Sequence, residues 1–273
     1  MASWRRRGDQ VSTRPALPRW LAIPAALAIV FLAIPLVGLL VTLPWARLPA
    51  LLDTEPARAA LWLSLRTCAA SMLLSIVFGL PLALYLSRLS GRSAFVVRTL
   101  SLLPMVLPPV VAGLVLLVTL GRRGLIGQYL DQVGITIGFT TTAVVIAQTF
   151  VSMPFFVVAV DGALRTLDPD HDVVAATLGA TPNTVLRRVT LPMVLPAIVN
   201  GAAMAFARSL GEFGATLTFA GSLQGTTRTM PLEIYLQREG DLDAALALAL
   251  VLIVVAVVLM AGSALLQRRW SRA

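Results

Sequence analysis

About six apolar runs of membrane-spanning length, separated by arginine-bearing segments, constrain this chain more than any other feature. They run from Trp20 to about Leu43, Leu61 to Ser87, Thr99 to Leu120, Thr140 to Val160, Val194 to Phe213 and Ala244 to Leu266. A helix needs about 20 mostly apolar residues to cross the hydrocarbon core of a bilayer. The first run is too long for the 7–15-residue apolar core of a signal peptide, so it is read as a spanning helix. A hydrophobic share of 58% with only 13% charged residues places the chain among integral membrane proteins. The expected fold class is therefore all-α integral membrane, with about six transmembrane helices and residues 1–19 and 267–273 as polar tails.

The net charge of +9 is carried by arginine alone, because the chain has no lysine. The arginines punctuate apolar spans rather than forming a basic face, so membrane topology explains them and nucleic acid does not. Fourteen fall on one set of alternate segments and six on the other, which puts both termini on the cytoplasmic side of a bacterial cytoplasmic membrane. A phosphate-binding P-loop needs its lysine, so any ATP hydrolysis belongs to another chain. The single cysteine, Cys68, and single histidine, His171, exclude a disulfide framework and His-pair zinc sites. They also leave an intramembrane hydrolase without a nucleophile and base at membrane depth. No metal site and no cofactor are expected in this chain.

Between the fourth and fifth runs lies a polar insert, Asp168 to Pro192, on the cytoplasmic side by the same count. Asp168-Pro169 suits a helix start, Asp170 and Asp172 favour its positive end, and Gly179 suits its stop. Thr181-Pro182 starts a second short helix with Val185, Leu186 and Val189 as its apolar stripe, and Leu191-Pro192 is expected to end it. Small residues at Ala175, Ala176, Gly179 and Ala180 permit close approach by a partner. From the residues alone, two readings stay open: a knob on which something docks, or an amphipathic loop lying on the bilayer.

The insert resembles the cytoplasmic signature of bacterial ABC-importer permeases: Glu-Ala-Ala, three residues, Gly, nine residues, Ile, one residue, Leu-Pro. Gly179, Val189 and Leu191-Pro192 take the later places, while Val173, Val174 and Ala175 fill the opening triplet and Asp172 supplies an acid one place early. The resemblance implies a type I importer fold over residues 60–266, with 168–192 as its coupling insert and Asp172, Ala175, Ala176, Gly179, Val185, Leu186, Val189, Leu191 and Pro192 forming the helix that meets an ATP-binding subunit. It also implies a homodimer in the lipid bilayer, two ATP-binding subunits carrying ATP and magnesium, and an extracytoplasmic binding protein.

The stretch Ala205 to Thr216, with Leu103 to Gly113 and Thr227 to Leu232, resembles the oxyanion permeases, those for molybdate above all. Sulfate and tungstate permeases of the same family remain alternatives, as does an ATPase-independent channel. Arg208 and Glu212 stand four apart, so they are expected to share a helix face and pair. They either fix helix packing or meet the anion, with Ser209, Thr216 and Thr218 as neutral donors along its path. Pro104, Pro108 and Pro109 read as packing kinks or as a hinge.

Overall fold

The computed structural model describes residues 18–168, 174–175 and 177–270. The basic tail up to residue 17, His171, Asp172 and Ala176 lie outside the described residues, as do residues 271–273. Among the described residues the architecture is all-α. The described residues fall into two compact units, divided between Leu43 and Pro44. The first holds α1 (Ala22–Thr42), an apolar helix with exposed side chains on every face, as a lipid-facing span requires.

The second unit runs through α2 (Leu48–Leu52), α3 (Glu55–Arg88), α4 (Gly91–Val106), α5 (Pro109–Leu120), α6 (Gly127–Gln132) and α7 (Thr141–Thr166). It continues with α8 (Pro182–Val185), a π-helical stretch (Leu186–Thr190), α9 (Leu191–Leu210), α10 (Gly214–Ala220), α11 (Met230–Gly240) and α12 (Leu242–Trp270). Among the described residues, five helical stretches are long and apolar enough to span a membrane, or six if the bent pair α4–α5 is one span.

α7 lies at the centre and packs against α3, α9, α4, α5 and α10. On α3 most side chains facing the protein are small or hydroxylated, among them Ala60, Ser64, Thr67, Ser71, Ser75, Gly79 and Ala83, with Leu63 and Leu86 as buried leucines near its two ends. Several of its large side chains, Trp62, Leu73, Phe78 and Tyr85, face outward. This pattern departs from a soluble core. Lipid is as apolar as leucine, so helices gain by close backbone approach and interhelical hydrogen bonds rather than by hiding leucines.

Two spans differ from the sequence expectation. The third is no single kinked helix over 99–120: α4 and α5 are bent by 113° at Leu107–Pro108. Leu107 and Pro108 are both extended (ψ 135°), which the residue before a proline prefers, and two consecutive prolines remove two ladder donors. Pro104 lies inside the continuous α4. Leu191-Pro192, in turn, ends nothing. The chain stays helical from Pro182 to Leu210, and the wider π turn just before Pro192 absorbs the donor it lacks.

Candidate functional site

The fifth span ends earlier than Phe213. α9 stops at Leu210, Gly211 caps it, and Glu212 lies in the turn before α10. Arg208 and Glu212 therefore do not share a helix face, yet they pair: Arg208 Nη1 donates to Glu212 Oε2 at 2.6 Å. The other carboxylate oxygen accepts from the Ala215 backbone N–H at 2.8 Å, in the first turn of α10. Glu212 is buried (1% exposed) and the Arg208 side chain keeps 28% of its surface accessible. One carboxylate thus neutralises an arginine and satisfies a free helix donor, while the guanidinium keeps an open face.

This turn sits below the end of the bundle. Gln148 Nε2 donates to Ser209 O at 3.4 Å, and Gln148 lies eight residues beyond Thr140, whose hydroxyl caps α7. At about 1.5 Å per residue that is about 12 Å down the helix. Beside it runs a seam of hydroxyls: Ser71 Oγ lies 3.2 Å from Ser152 Oγ and 3.0 Å from Ser209 Oγ, joining α3, α7 and α9. Among the described residues, Ser75 Oγ, Gln148 Oε1, Thr216 Oγ1 and Thr229 Oγ1 are buried without a partner.

α10 is held by backbone-to-backbone packing on α5. A Cβ on Gly113 would lie 2.7 Å from Ala215 O and 2.9 Å from Ala215 Cα, and one on Gly214 would lie 2.9 Å from Pro109 Cβ. The broken third span therefore seats directly on the helix that follows Glu212. Pro109 touches this site, Pro108 forms the break and Pro104 stands apart from it on α4.

Of the expected path residues, Arg208 keeps an accessible side chain and Thr218 is half-buried, its hydroxyl donating to Gly214 O at 2.8 Å. Ser209 and Thr216 are fully buried within the single chain. Ser209 belongs to the hydroxyl seam and faces no open path in this conformation. The sequence reading missed Ser71, Gln148 and Ser152. Hydroxyls at 64, 67, 71 and 75 recur every three or four residues inside an apolar run, and that spacing was the available signal.

In the insert, residues 174, 175 and 177 are helical, and Gly179 takes the left-handed conformation (φ +83°) that stops a helix. The Leu178 N–H donates to Val174 O and the Ala180 N–H to Ala175 O, which closes the end. Thr181 caps α8 by accepting from the Thr184 N–H. Leu178 is 83% exposed. Val185 is buried, and Leu186, Val189 and Leu191 are half-buried while Pro192 is exposed. At the far end of the bundle, Arg122 and Thr136 bond Asp131 and hold its carboxyl below the usual range.

Residues 75–272 match the family described as binding-protein-dependent transport system inner membrane component. The chain is 58% identical to the molybdenum transport system permease protein ModB of Mycobacterium bovis over 230 residues, 84% of this chain and 87% of that protein. It is 43% identical to the Escherichia coli K12 protein of the same name, over 67% of this chain and 80% of that one. It is 34% identical to the sulfate transport system permease protein CysT of Salmonella typhimurium, over 96% and 97%. Among solved structures, a bacterial ABC transporter involved in alginate import has a chain that matches with a TM-score of 0.72 at 19% identity, over 92% of this chain and 94% of that one. A chain of the MetNI methionine transporter matches with a TM-score of 0.60 at 20% identity, over 80% and 99%. The fold is that of ABC importer permeases, and the chain belongs to the family of binding-protein-dependent transport system inner membrane components.

Proposed function

We propose that this chain moves a tetrahedral oxyanion, molybdate, across the cytoplasmic membrane as the permease subunit of an ATP-driven importer. The observation that carries this reading is the 58% identity to molybdenum permeases across most of both chains, against 34% to a sulfate permease. The site fits such a cargo. An ion bared of water in a low-dielectric core costs on the order of 20 kcal/mol, so a path must supply donors. It must also avoid a deep trap. Arg208, neutralised by Glu212 and still partly accessible, offers donors without an uncompensated charge.

In this reading the chain pairs with a second copy, and both termini and the insert face the cytoplasm. Two ATP-binding subunits dock on the insert, and an extracytoplasmic binding protein delivers the anion. The exposed Leu178 and the capped segment around Gly179 support the docking role of Ala175, Gly179, Val185, Leu186, Val189, Leu191 and Pro192. Asp172 and Ala176 join them by sequence position. The break at Pro108-Pro109 seats on α10 and serves as the hinge next to the path, with Pro104 below it on α4.

The test is uptake into vesicles holding this chain with its ATP-binding and binding-protein partners. ATP-dependent uptake of labelled molybdate, unaffected by excess sulfate, is the expected result. Uptake of sulfate in its place selects the sulfate reading, and flux without ATP or its subunit selects a channel.

A further inference from the structure

We propose that Asp161 is a positioning residue for transport, the point where the root of the insert is tied to α3 and α4. Asp161 lies on the last turns of α7. Its two oxygens accept from Arg165 Nε at 3.1 and 3.0 Å, and Oδ2 also accepts from Arg98 Nη2 on α4 at 3.2 Å. Arg165 Nη2 then donates to Leu86 O in the last turn of α3 at 3.3 Å. Only 13% of the Asp161 side chain is exposed.

One carboxylate and two guanidiniums thus join three helices at one level. Charge-assisted hydrogen bonds to a largely buried carboxylate are directional, so they resist shear between helices where apolar contacts slide. The placement gives the clamp its consequence. α7 ends at Thr166, one residue past Arg165, and the insert begins at Asp168. α4, held by Arg98, leads without interruption to the 113° break at Leu107–Pro108. The α5 beyond that break seats on α10, next to Glu212. A displacement of the insert therefore reaches the broken span through Asp161 and Arg98. Without the carboxylate, α7 can move while α4 stays.

This inference rests on the importer reading, and the experiment separates the two. The assembled complex is placed in vesicles, and oxyanion uptake and ATP turnover are measured for wild type, Asp161→Asn, Asp161→Glu and Arg98→Met. Loss of the clamp is expected to lower uptake per ATP hydrolysed by about tenfold in Asp161→Asn and Arg98→Met, a typical size for coupling between sites. Asp161→Glu, which keeps a carboxylate, should recover most of that ratio. A purely structural staple lowers uptake and ATP turnover together, through the amount of complex, and leaves the ratio unchanged. An unchanged ratio in Asp161→Asn overturns the inference, and so does failure of both Asp161→Asn and Arg98→Met to assemble. A wild-type complex that imports no oxyanion overturns the importer reading.

Discussion

Two glycines in opposite halves of the molecule show how differently those halves are built. Gly113, where α5 crosses α10, is needed for space: a side chain there meets the carbonyl and Cα of Ala215. Gly179, in the insert, is needed for conformation: its φ is +83° and nothing lies within 4 Å of its would-be Cβ. One is defined by what packs against it, the other by local backbone chemistry. The crossing at Gly113 is fixed by the fold around it, whereas the described part of the insert is shaped by its own Gly179 stop and Thr181 cap and leaves Leu178 exposed.

The comparison is broken most directly at Gly113. Gly113→Leu should abolish assembly of the permease, because the atoms in the way are backbone atoms that cannot rotate aside. Gly113→Ala should cost about 1–3 kcal/mol, the usual range for overpacking. Expression yield and the thermal unfolding midpoint in detergent measure both, and an unchanged midpoint in Gly113→Ala would refute the close crossing.

Glu212 comes next. Glu212→Ala leaves the Ala215 N–H and Arg208 without their acceptor. Removing one partner of a buried ion pair costs about 3–5 kcal/mol, and the partial exposure of Arg208 places this one near the lower bound. Glu212→Gln keeps an acceptor for Ala215 and should lose less. If the two variants unfold at the same temperature, the carboxylate charge contributes nothing and the pair is incidental.

At the other end the effects are smaller. Gly179→Ala places a Cβ in left-handed backbone and should cost about 1 kcal/mol. Thr181→Ala should cost about as much by removing the cap of α8. Neither should change the unfolding midpoint of the membrane bundle by more than a few degrees. Both should weaken binding of an ATP-binding subunit, measured by co-purification. A Gly179→Ala chain that fails to assemble would show that the insert is part of the core after all.

The same division decides what the sequence could be read for. The Thr181 cap and the Gly179 stop were legible because each is a contact within a few residues. The spans of α3, α7 and α12 were legible because a bilayer demands a continuous apolar length. The 113° turn at Leu107–Pro108 was not. Consecutive prolines announce missing donors, but the new direction is set by α5 seating on α10. The hydroxyl seam was hidden for the same reason, since Ser71, Ser152 and Ser209 meet only once three helices take their register. The Arg208–Glu212 pair was expected from its spacing and found, but across a helix end rather than along a face. Leu191-Pro192 misled because a π turn carries the helix through a proline that local rules treat as a stop.

The smallest effect expected is at Asp131, on the segment between α5 and α7 at the far end from the insert. Hydrogen bonds from Arg122, then Thr136, hold its carboxyl below the ordinary value of 3.8. A carboxylate depressed in the folded state stabilises above its unfolded pKa, and that contribution fades as pH falls through the lower folded value. Between pH 5 and 8 the segment should therefore be insensitive to pH. Arg122→Ala removes the larger cause and leaves the Thr136 bond, so the carboxyl should titrate closer to its ordinary value. Hydrogen exchange of the amides of Leu125 and Ile126, which bond back to Val118 and Thr119, reports this locally. The variant should exchange somewhat faster than wild type at neutral pH, and the two should converge in acid and in high salt, which screens an exposed pair. A difference that persists in acid would mean that Arg122 acts by packing rather than by charge. This end would then be held, like the Gly113 crossing, by shape alone.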